Sequence, residues 1–438
     1  MNSFRKTVAQ FDFTILIVAM ALTAFGILVI YSSGLTAEGI HVSDEYIKHI
    51  VWAVSGLVLL AVFAFLDYLR IKDYSVFIYI FFILVILFVR FFGRTVNGAK
   101  SWVGIFGGFG IQPSEFMKIA TIMFLAQFLS ESEHQSSFRR LVKSFAIIAL
   151  PVIIILTQSD MGTALVFFPI FLFMIYVAGV ETRFIVFILS FTLGTVLLTM
   201  LPLWEQYILK SPTNFLFLLY KPPYVYFLIG ALALVFLLSI LGWSSYKRKY
   251  YYWIAFICLI FAGSLLASTL ANHFLKEYQI MRLIIFLDPS VDPRGSGWNI
   301  VQSLTAIGSG GFFGKGFLQG TQSHYRYLPQ QSTDFIFSII AEEWGFIGGF
   351  TVFALYFSFL RRCAGLIKTA KDSYARYVVA GIMGMVFFHF AINIGMAMGI
   401  MPVTGIPLFF LSYGGSSLWA IMIAVGLLLG ISAKRYRT

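Results

Sequence analysis

From Phe13 to Gly430 the sequence is a succession of apolar runs, each about as long as a bilayer is thick, joined by polar stretches. A helix needs roughly 20 mostly apolar residues to cross the hydrocarbon core. Runs of that kind lie near 12–34, 48–66, 74–92, 112–130, 142–157, 161–180, 183–202, 222–242, 250–270, 334–360, 377–398 and 406–431. The pattern predicts an all-α, polytopic membrane helical bundle of about twelve transmembrane helices in one domain, 1–438. Only 11% of residues are charged and 59% are hydrophobic. A soluble domain carries about 25% charged residues, so most of this surface has to face lipid. The 49 Phe residues suit lipid-facing helices better than a barrel, which needs apolar/polar alternation.

The net charge of +12 would suggest nucleic acid in a soluble protein. Here the cations sit in short loops between apolar runs, which is the pattern that orients membrane helices, so no nucleic-acid role is expected. With the N-terminus (Arg5, Lys6) cytoplasmic, every loop due on that side is basic: Arg70 and Lys72; Arg139, Arg140 and Lys143; Arg183; Lys247, Arg248 and Lys249; Arg361, Arg362, Lys368, Lys371 and Arg376; and the tail with Lys434, Arg435 and Arg437. Both termini are therefore expected in the cytoplasm. The first run has no small-residue cleavage pattern after it and should stay as a helix. Cys258 and Cys363 lie far apart and offer neither a disulfide framework nor metal spacing.

Two stretches on the outer side are more than connectors. Residues 93–111 are Gly-rich, and residues 271–333 form a loop far beyond the usual connection length; loops of that size usually carry function. The run 142–157 is short, contains Pro151 and stops at Gln158-Ser159-Asp160-Met161-Gly162. Interrupted helices in membranes often mark a cavity or site.

Ionisable residues at membrane depth are costly and are site candidates by default. Glu115 and Lys118 share a helix face at i and i+3, where they either neutralise one another or line a site. Asp160 is a turn residue or a cavity group. Asp334, after Ser332 and Thr333, is a helix cap or a functional carboxylate. Glu342 and Glu343 either anchor packing or reach a cavity. In the long loop, Ile307 to Gly316 is a glycine-rich turn ending in Lys315. It is either a tight structural turn or a cradle of backbone N–H groups for phosphate oxygens. It departs from a P-loop at Ser309 and Gly316. Arg282, Arg294 and Arg326 in the same loop make an anionic ligand reasonable. Asp288-Pro289 and Asp292-Pro293 read as turn starters, or as a carboxylate pair for a divalent cation, the one cofactor the sequence leaves open.

Several ordered motifs carry a family resemblance. They are Gln112-Pro113-Ser114-Glu115 with Lys118; Gln158 to Thr163; Tyr278-Gln279 with Arg282; Phe286-Leu287-Asp288-Pro289; Gln302-Ser303 through Gly311; Gly314-Lys315-Gly316; Gly320-Thr321-Gln322; Thr333-Asp334-Phe335-Ile336-Phe337; and Ser412-Tyr413-Gly414-Gly415-Ser416. Together they resemble the SEDS family (shape, elongation, division and sporulation), which includes RodA, FtsW and SpoVE, and Pro402 to Pro407 is closer to RodA than to FtsW. The resemblance implies a peptidoglycan glycosyltransferase in the bacterial cytoplasmic membrane. Such an enzyme polymerises lipid II into glycan strands on the outer face, for cell-wall elongation and rod shape. A class B penicillin-binding protein would be its transpeptidase partner. The family motif makes Asp334 the catalytic residue. The family's ten helices imply that 203–270 is an inserted helix pair. Three features depart from the family pattern: Ser159 stands where it has proline, and Gln330 and Ser332 stand where it has glutamate and histidine.

The expected chemistry is one inverting displacement. A base takes the proton of an acceptor sugar hydroxyl as it attacks the anomeric carbon of a lipid-linked glycan, and cations receive the departing pyrophosphate. Asp334 is assigned as base and Arg282 and Lys315 as pyrophosphate contacts, with Glu115, Lys118 and Asp160 lining the cavity. The rival from another class is a lipid II flippase without polymerase activity.

Overall fold

The computed structural model describes residues 9–96, 98–105, 109–209, 216–274, 277–292 and 296–434. The cations Arg5, Lys6, Arg294, Arg435 and Arg437 lie outside the described residues. The chain divides into two compact units, one of residues 1–180 with 302–438 and one of residues 181–301.

The first unit opens with α1 (Phe13–Ser33), α2 (Glu45–Phe65) and α3 (Tyr68–Phe92). The Gly-rich stretch that follows is a small antiparallel sheet in the order β1 (Arg94–Val96), β2 (Ala99–Ile105), β3 (Phe109–Ile111), with Val96 opposite Ala99 and Val103 opposite Ile111. Next come α4 (Pro113–Glu131), α5 (Ser137–Thr157) and α6 (Met161–Val177). The second unit holds α7 (Thr182–Trp204), α8 (Tyr224–Tyr246), α9 (Lys249–Phe274) and α10 (Glu277–Leu287), and α11 (Ser296–Gly310) begins in it. The first unit closes with α12 (Thr321–His324), α13 (Ile336–Thr369), α14 (Ser373–Ala397) and α15 (Gly415–Lys434). The stretch 271–333, read from sequence as one large loop, thus carries α10, α11 and α12.

Each of the twelve apolar runs has a helix on it. Among the described residues ten of these helices are long and apolar enough to cross a membrane by length and composition, so the count of about twelve is not confirmed. The two that fall short have physical reasons. α6 has 17 residues, and α4 carries the buried charges of Glu115 and Lys118 in its first turns.

Helix starts are set by short acidic side chains that accept otherwise orphaned N–H groups. Asp12 accepts from Thr14 N at 3.2 Å, Asp67 from Leu69 N at 2.9 Å and Asp372 from Ala375 N at 2.8 Å. Pro113 opens α4, where a missing N–H costs nothing. In the first unit α15 is buried along nearly its whole length and α14 along most of its own, so these two form the core. In the second unit α8 buries only Val225 and Ser239; Phe227, Leu234 and Leu238 stand outward, as lipid contact requires.

Arg140 shows how a buried cation is held. Its guanidinium donates to Ala178 O at 2.9 Å and Leu129 O at 3.2 Å, just past the end of α6 and inside the last turn of α4. A cation at two helix C-termini meets both unpaired carbonyls and both dipole ends. Arg140→Met is expected to lower the unfolding midpoint of the purified protein, costing about 2–4 kcal/mol for two lost charged hydrogen bonds, with no shift in the substrate dependence of activity.

α13 is interrupted at Gly345, whose φ of 62° and ψ of −154° no L side chain adopts comfortably. The break frees backbone groups, and the glycine-rich turn after α11 satisfies them. Phe346 N donates to Gly311 O at 2.9 Å and Ile347 N to Phe312 O at 3.2 Å, while Lys315 N and Gly316 N each donate at 3.0 Å to Glu342 O and Glu343 O. The amides of Lys315 and Gly316, read from sequence as candidates for a phosphate cradle, are committed to the helix break.

Candidate active site

Asp334 lies half-buried in the turn that leads into α13. Its peptide is held on both sides. Asp334 N donates to Gln330 O at 3.0 Å, and Asp334 O accepts from Asn393 Nδ2, near the C-terminal end of α14, at 2.9 Å. The same Asn393 nitrogen donates to Ile406 O at 2.8 Å. Asn393 thereby clamps the Asp334 turn to the 402–416 segment that runs from α14 to α15. Ser412 Oγ donates to Thr333 O at 2.5 Å and accepts from Leu408 N at 2.8 Å, and Tyr413 N donates to Ser332 O at 2.8 Å. A carboxylate oxygen of Asp334 stands 3.7 Å from where a side chain on Gly405 would begin.

Glu115 and Lys118 form a buried ion pair, with Nζ 2.8 Å from Oε1. Burying two charges is tolerable only where both are well bonded. Lys118 Nζ also meets His389 Nε2 at 3.1 Å and lies 5.3 Å from the centre of the Phe409 ring. His389 Nδ1 is 2.8 Å from Pro407 O. A lysine can only donate, so Nε2 is the acceptor. The imidazole is then the neutral tautomer with its proton on Nδ1, donated to Pro407 O. His389 also stacks on Phe409 at 3.7 Å. Buried Tyr356 donates its hydroxyl to Phe409 O. The second carboxylate oxygen of Glu115 is buried with no hydrogen-bond partner among the described residues.

Asp160 caps α6, accepting from Thr163 N at 3.2 Å, and takes a 2.6 Å bond from Gln112 Nε2 on its other oxygen. Gln112 N in turn donates to Ser416 Oγ at 2.9 Å. Gly162 packs directly on the backbone of Thr404; a methyl group there would stand 2.5 Å from Thr404 O. Gly162→Ala is therefore expected to displace the 402–416 segment. It should cost about 1–3 kcal/mol of stability, as overpacking does, and lower turnover more than substrate affinity, measurable as separate kcat and KM values.

Asp334, the Glu115–Lys118 pair and Asp160 thus all attach to one segment, 402–416. The other two sequence candidates are placed differently. Lys315 Nζ is 2.7 Å from Glu342 Oε1 and donates at 2.6 Å to Thr321 Oγ1. That Glu342 oxygen also accepts from Thr321 N at 2.8 Å and Gln322 N at 2.9 Å, so Glu342 anchors packing. Arg282 is half-buried on α10 in the second unit. Next to Glu342, Glu343 accepts a hydrogen bond from Ser32 and lies 3.6 Å from His324 Nε2. Burial holds the His324 pKa below its ordinary value, against the opposing pull of Glu342 and of a hydrogen bond to Ser32. Among the described residues no three His, Cys, Asp or Glu side chains gather to hold a metal ion. Asp288 caps its own turn through Ser290 N at 2.9 Å.

Sequence reasoning missed His389 and Asn393, and it held Gln112 only as part of the Gln112-Pro113-Ser114-Glu115 motif. The signal for the first two was present: a histidine and an asparagine four apart inside an apolar run share one helix face, and polar groups at that depth seek partners.

A family model described as "Cell cycle protein", covering FtsW, RodA and SpoVE, matches residues 12–224 and 228–437. The chain is 49% identical to peptidoglycan glycosyltransferase RodA of Treponema pallidum, over 98% of this chain and 99% of the relative. It is 33% identical to stage V sporulation protein E of Bacillus subtilis, over 96% of each. A solved structure concerned with the structural coordination of polymerization and crosslinking by a peptidoglycan synthase complex superimposes with a TM-score of 0.64 at 26% identity, covering 98% of this chain and 99% of that one.

Proposed function

Because the chain belongs to the FtsW, RodA and SpoVE family of cell cycle proteins, we propose that it is a peptidoglycan glycosyltransferase that builds glycan strands from lipid II. It is an integral membrane protein. The Asp334 turn and the basic residues Arg361, Arg362 and Lys368 stand at opposite ends of α13. The positive-inside rule assigns the basic end to the cytoplasm, with both termini, and Asp334 to the outer side, where lipid-linked sugars are joined.

In this reading the Asp334 carboxylate takes the proton from the acceptor sugar hydroxyl. The new C–O bond forms at the donor's anomeric carbon, the bond from that carbon to the pyrophosphate oxygen breaks, and its electron pair leaves with the diphosphate. One such displacement inverts the configuration, and no second carboxylic acid is needed because the leaving group departs as an anion. Glu115, Lys118 and Asp160 act as positioning residues through the 402–416 segment. Arg282 remains the candidate for the diphosphate. Lys315, whose ammonium is neutralised by Glu342, contributes less to that charge than its sequence context implied. The observation that carries the reading is the clamp of Asn393 on both the Asp334 peptide and Ile406 O, which fixes the Asp334 turn beside the segment that also anchors the buried pair.

The partner is a class B penicillin-binding protein, a reading favoured by the likeness to a synthase complex in which polymerization and crosslinking are coordinated. The pair α8 and α9, which fills most of 203–270 and runs on to Phe274, serves as an added lipid-facing element. The test supplies purified protein, its transpeptidase partner and lipid II. Glycan strands resolved by gel support the polymerase, whereas lipid II translocated across proteoliposomes with no polymer supports the flippase instead.

A further inference from the structure

The end of the bundle remote from Asp334 carries a polar cavity of about 510 Å³, lined by Asp12, Thr14, Ser358, Arg361, Arg362 and Thr369 among others. That volume falls within the range of ligand sites, roughly 300–1,000 Å³. The cavity lies where α1 starts and α13 ends, so it sits at the level where a membrane span meets water.

Its charges do not cancel. Arg362 is locked to Asp12 by Nε at 2.9 and 3.1 Å and by Nη2 at 2.7 Å. Asp12 is buried and also caps α1, and its N–H donates to Ser432 Oγ at 3.0 Å. One carboxylate against two guanidiniums leaves one positive charge, 2 − 1 = +1. Arg361 carries it, exposed and without an ion pair or hydrogen bond among the described residues. A guanidinium presents five donors in a fork that fits phosphate oxygens bidentately, and Thr14 and Ser358 add hydroxyl donors.

The adjoining surface indicates the source of the phosphate. One turn further into the membrane, Ile17 (i+3 from Thr14) and Phe357 (i−4 from Arg361) share those helix faces and stand 64% and 67% exposed. A cationic pocket above exposed apolar side chains suits a molecule with an anionic head and hydrocarbon tails. We propose that this pocket binds the phosphodiester headgroup of an anionic membrane lipid, with Arg361 as the principal contact and the Asp12–Arg362 pair as the pocket's fixed wall.

The test uses the full chain in lipid nanodiscs with phosphatidylglycerol diluted in phosphatidylcholine, followed by native mass spectrometry of retained lipid. Wild type is expected to keep phosphatidylglycerol in preference to phosphatidylcholine. Arg361→Ala should keep about tenfold less, the effect of one charge-assisted contact, and Arg361→Lys an intermediate amount. Arg139→Ala removes an exposed cation elsewhere and should change nothing. Unfolding midpoints in pure phosphatidylcholine check that the variants are folded. Equal retention by wild type and Arg361→Ala, an equal fall in Arg139→Ala, or no preference over phosphatidylcholine overturns the proposal. A third arm adds inorganic phosphate to phosphatidylcholine discs. Protection by phosphate alone that Arg361→Ala abolishes would keep the phosphate site but overturn the lipid as its source.

Discussion

Asp334→Asn is expected to abolish strand synthesis while leaving a folded protein. The substitution exchanges one carboxylate oxygen for an amide nitrogen of nearly the same size. It keeps the backbone carbonyl that Asn393 grips at 2.9 Å and the amide that Gln330 accepts. What is removed is the negative charge and, with it, the capacity to accept a proton. Positioned proton transfer contributes about 10²- to 10⁴-fold to rate, and polymer formation should fall by that range. Lipid II binding, read as KM or by direct titration, should change little. The unfolding midpoint should stay within a degree or so, the spread of ordinary surface changes of about 0.5 kcal/mol. An Asp334→Asn protein that still polymerises at near wild-type rate would remove Asp334 from the chemistry. A protein that fails only because it unfolds would instead make its role structural, and Asp334→Glu then separates the two by restoring charge without restoring fit.

The second large effect falls on the buried pair. Lys118→Met keeps the length and apolar bulk of the stem but leaves the Glu115 carboxylate buried without its cation. Breaking one partner of such a pair costs about 3–5 kcal/mol, a large part of the 5–15 kcal/mol that holds a domain together. His389 loses its donor at the same time, so the stack on Phe409 and the bond to Pro407 O loosen, and the 402–416 segment beside Asp334 loosens with them. Both stability and activity should drop in Lys118→Met. The double variant Glu115→Gln with Lys118→Met removes both charges and should regain most of the stability. If activity returns with it, the pair acts only by holding the segment; if activity stays lost, the ammonium itself takes part in catalysis. An unfolding midpoint for Lys118→Met equal to wild type would show that the pair does not support the fold.

Much of this was legible in the order of residues because it is local. Apolar runs mark helices, and Glu115 and Lys118 at i and i+3 must share a face. Asp160, read as a turn residue or a cavity group, sits at the break and caps α6. Pro113 opens α4 as its position implies. The rest depends on contacts across long separations, which periodicity does not encode. His389 reaches Lys118 across 271 residues and Asn393 reaches Asp334 across 59. In sequence each is a lone polar residue inside an apolar run. Lys315 was read as an anion contact because it ends a glycine-rich turn; its acid, Glu342, lies 27 residues on. The break at Gly345 was equally hidden, since a glycine inside an apolar helix has several meanings until its φ is known. The count of about twelve spans is not confirmed, because α4 carries buried charges and α6 is short, so length and apolarity alone do not class either with the ten.

The interruption of α13 has a mechanical consequence. An unbroken rod of 34 residues would carry every tilt imposed at its basic, C-terminal end straight to the turn that holds Asp334. Cut at Gly345 and stitched sideways to the 310–316 turn, the helix behaves as two levers with a braced joint. Thickening, thinning or leaning of the bilayer against the long arm is then taken up at the joint, and the turn that holds Asp334 keeps its place on Asn393 and Ser412.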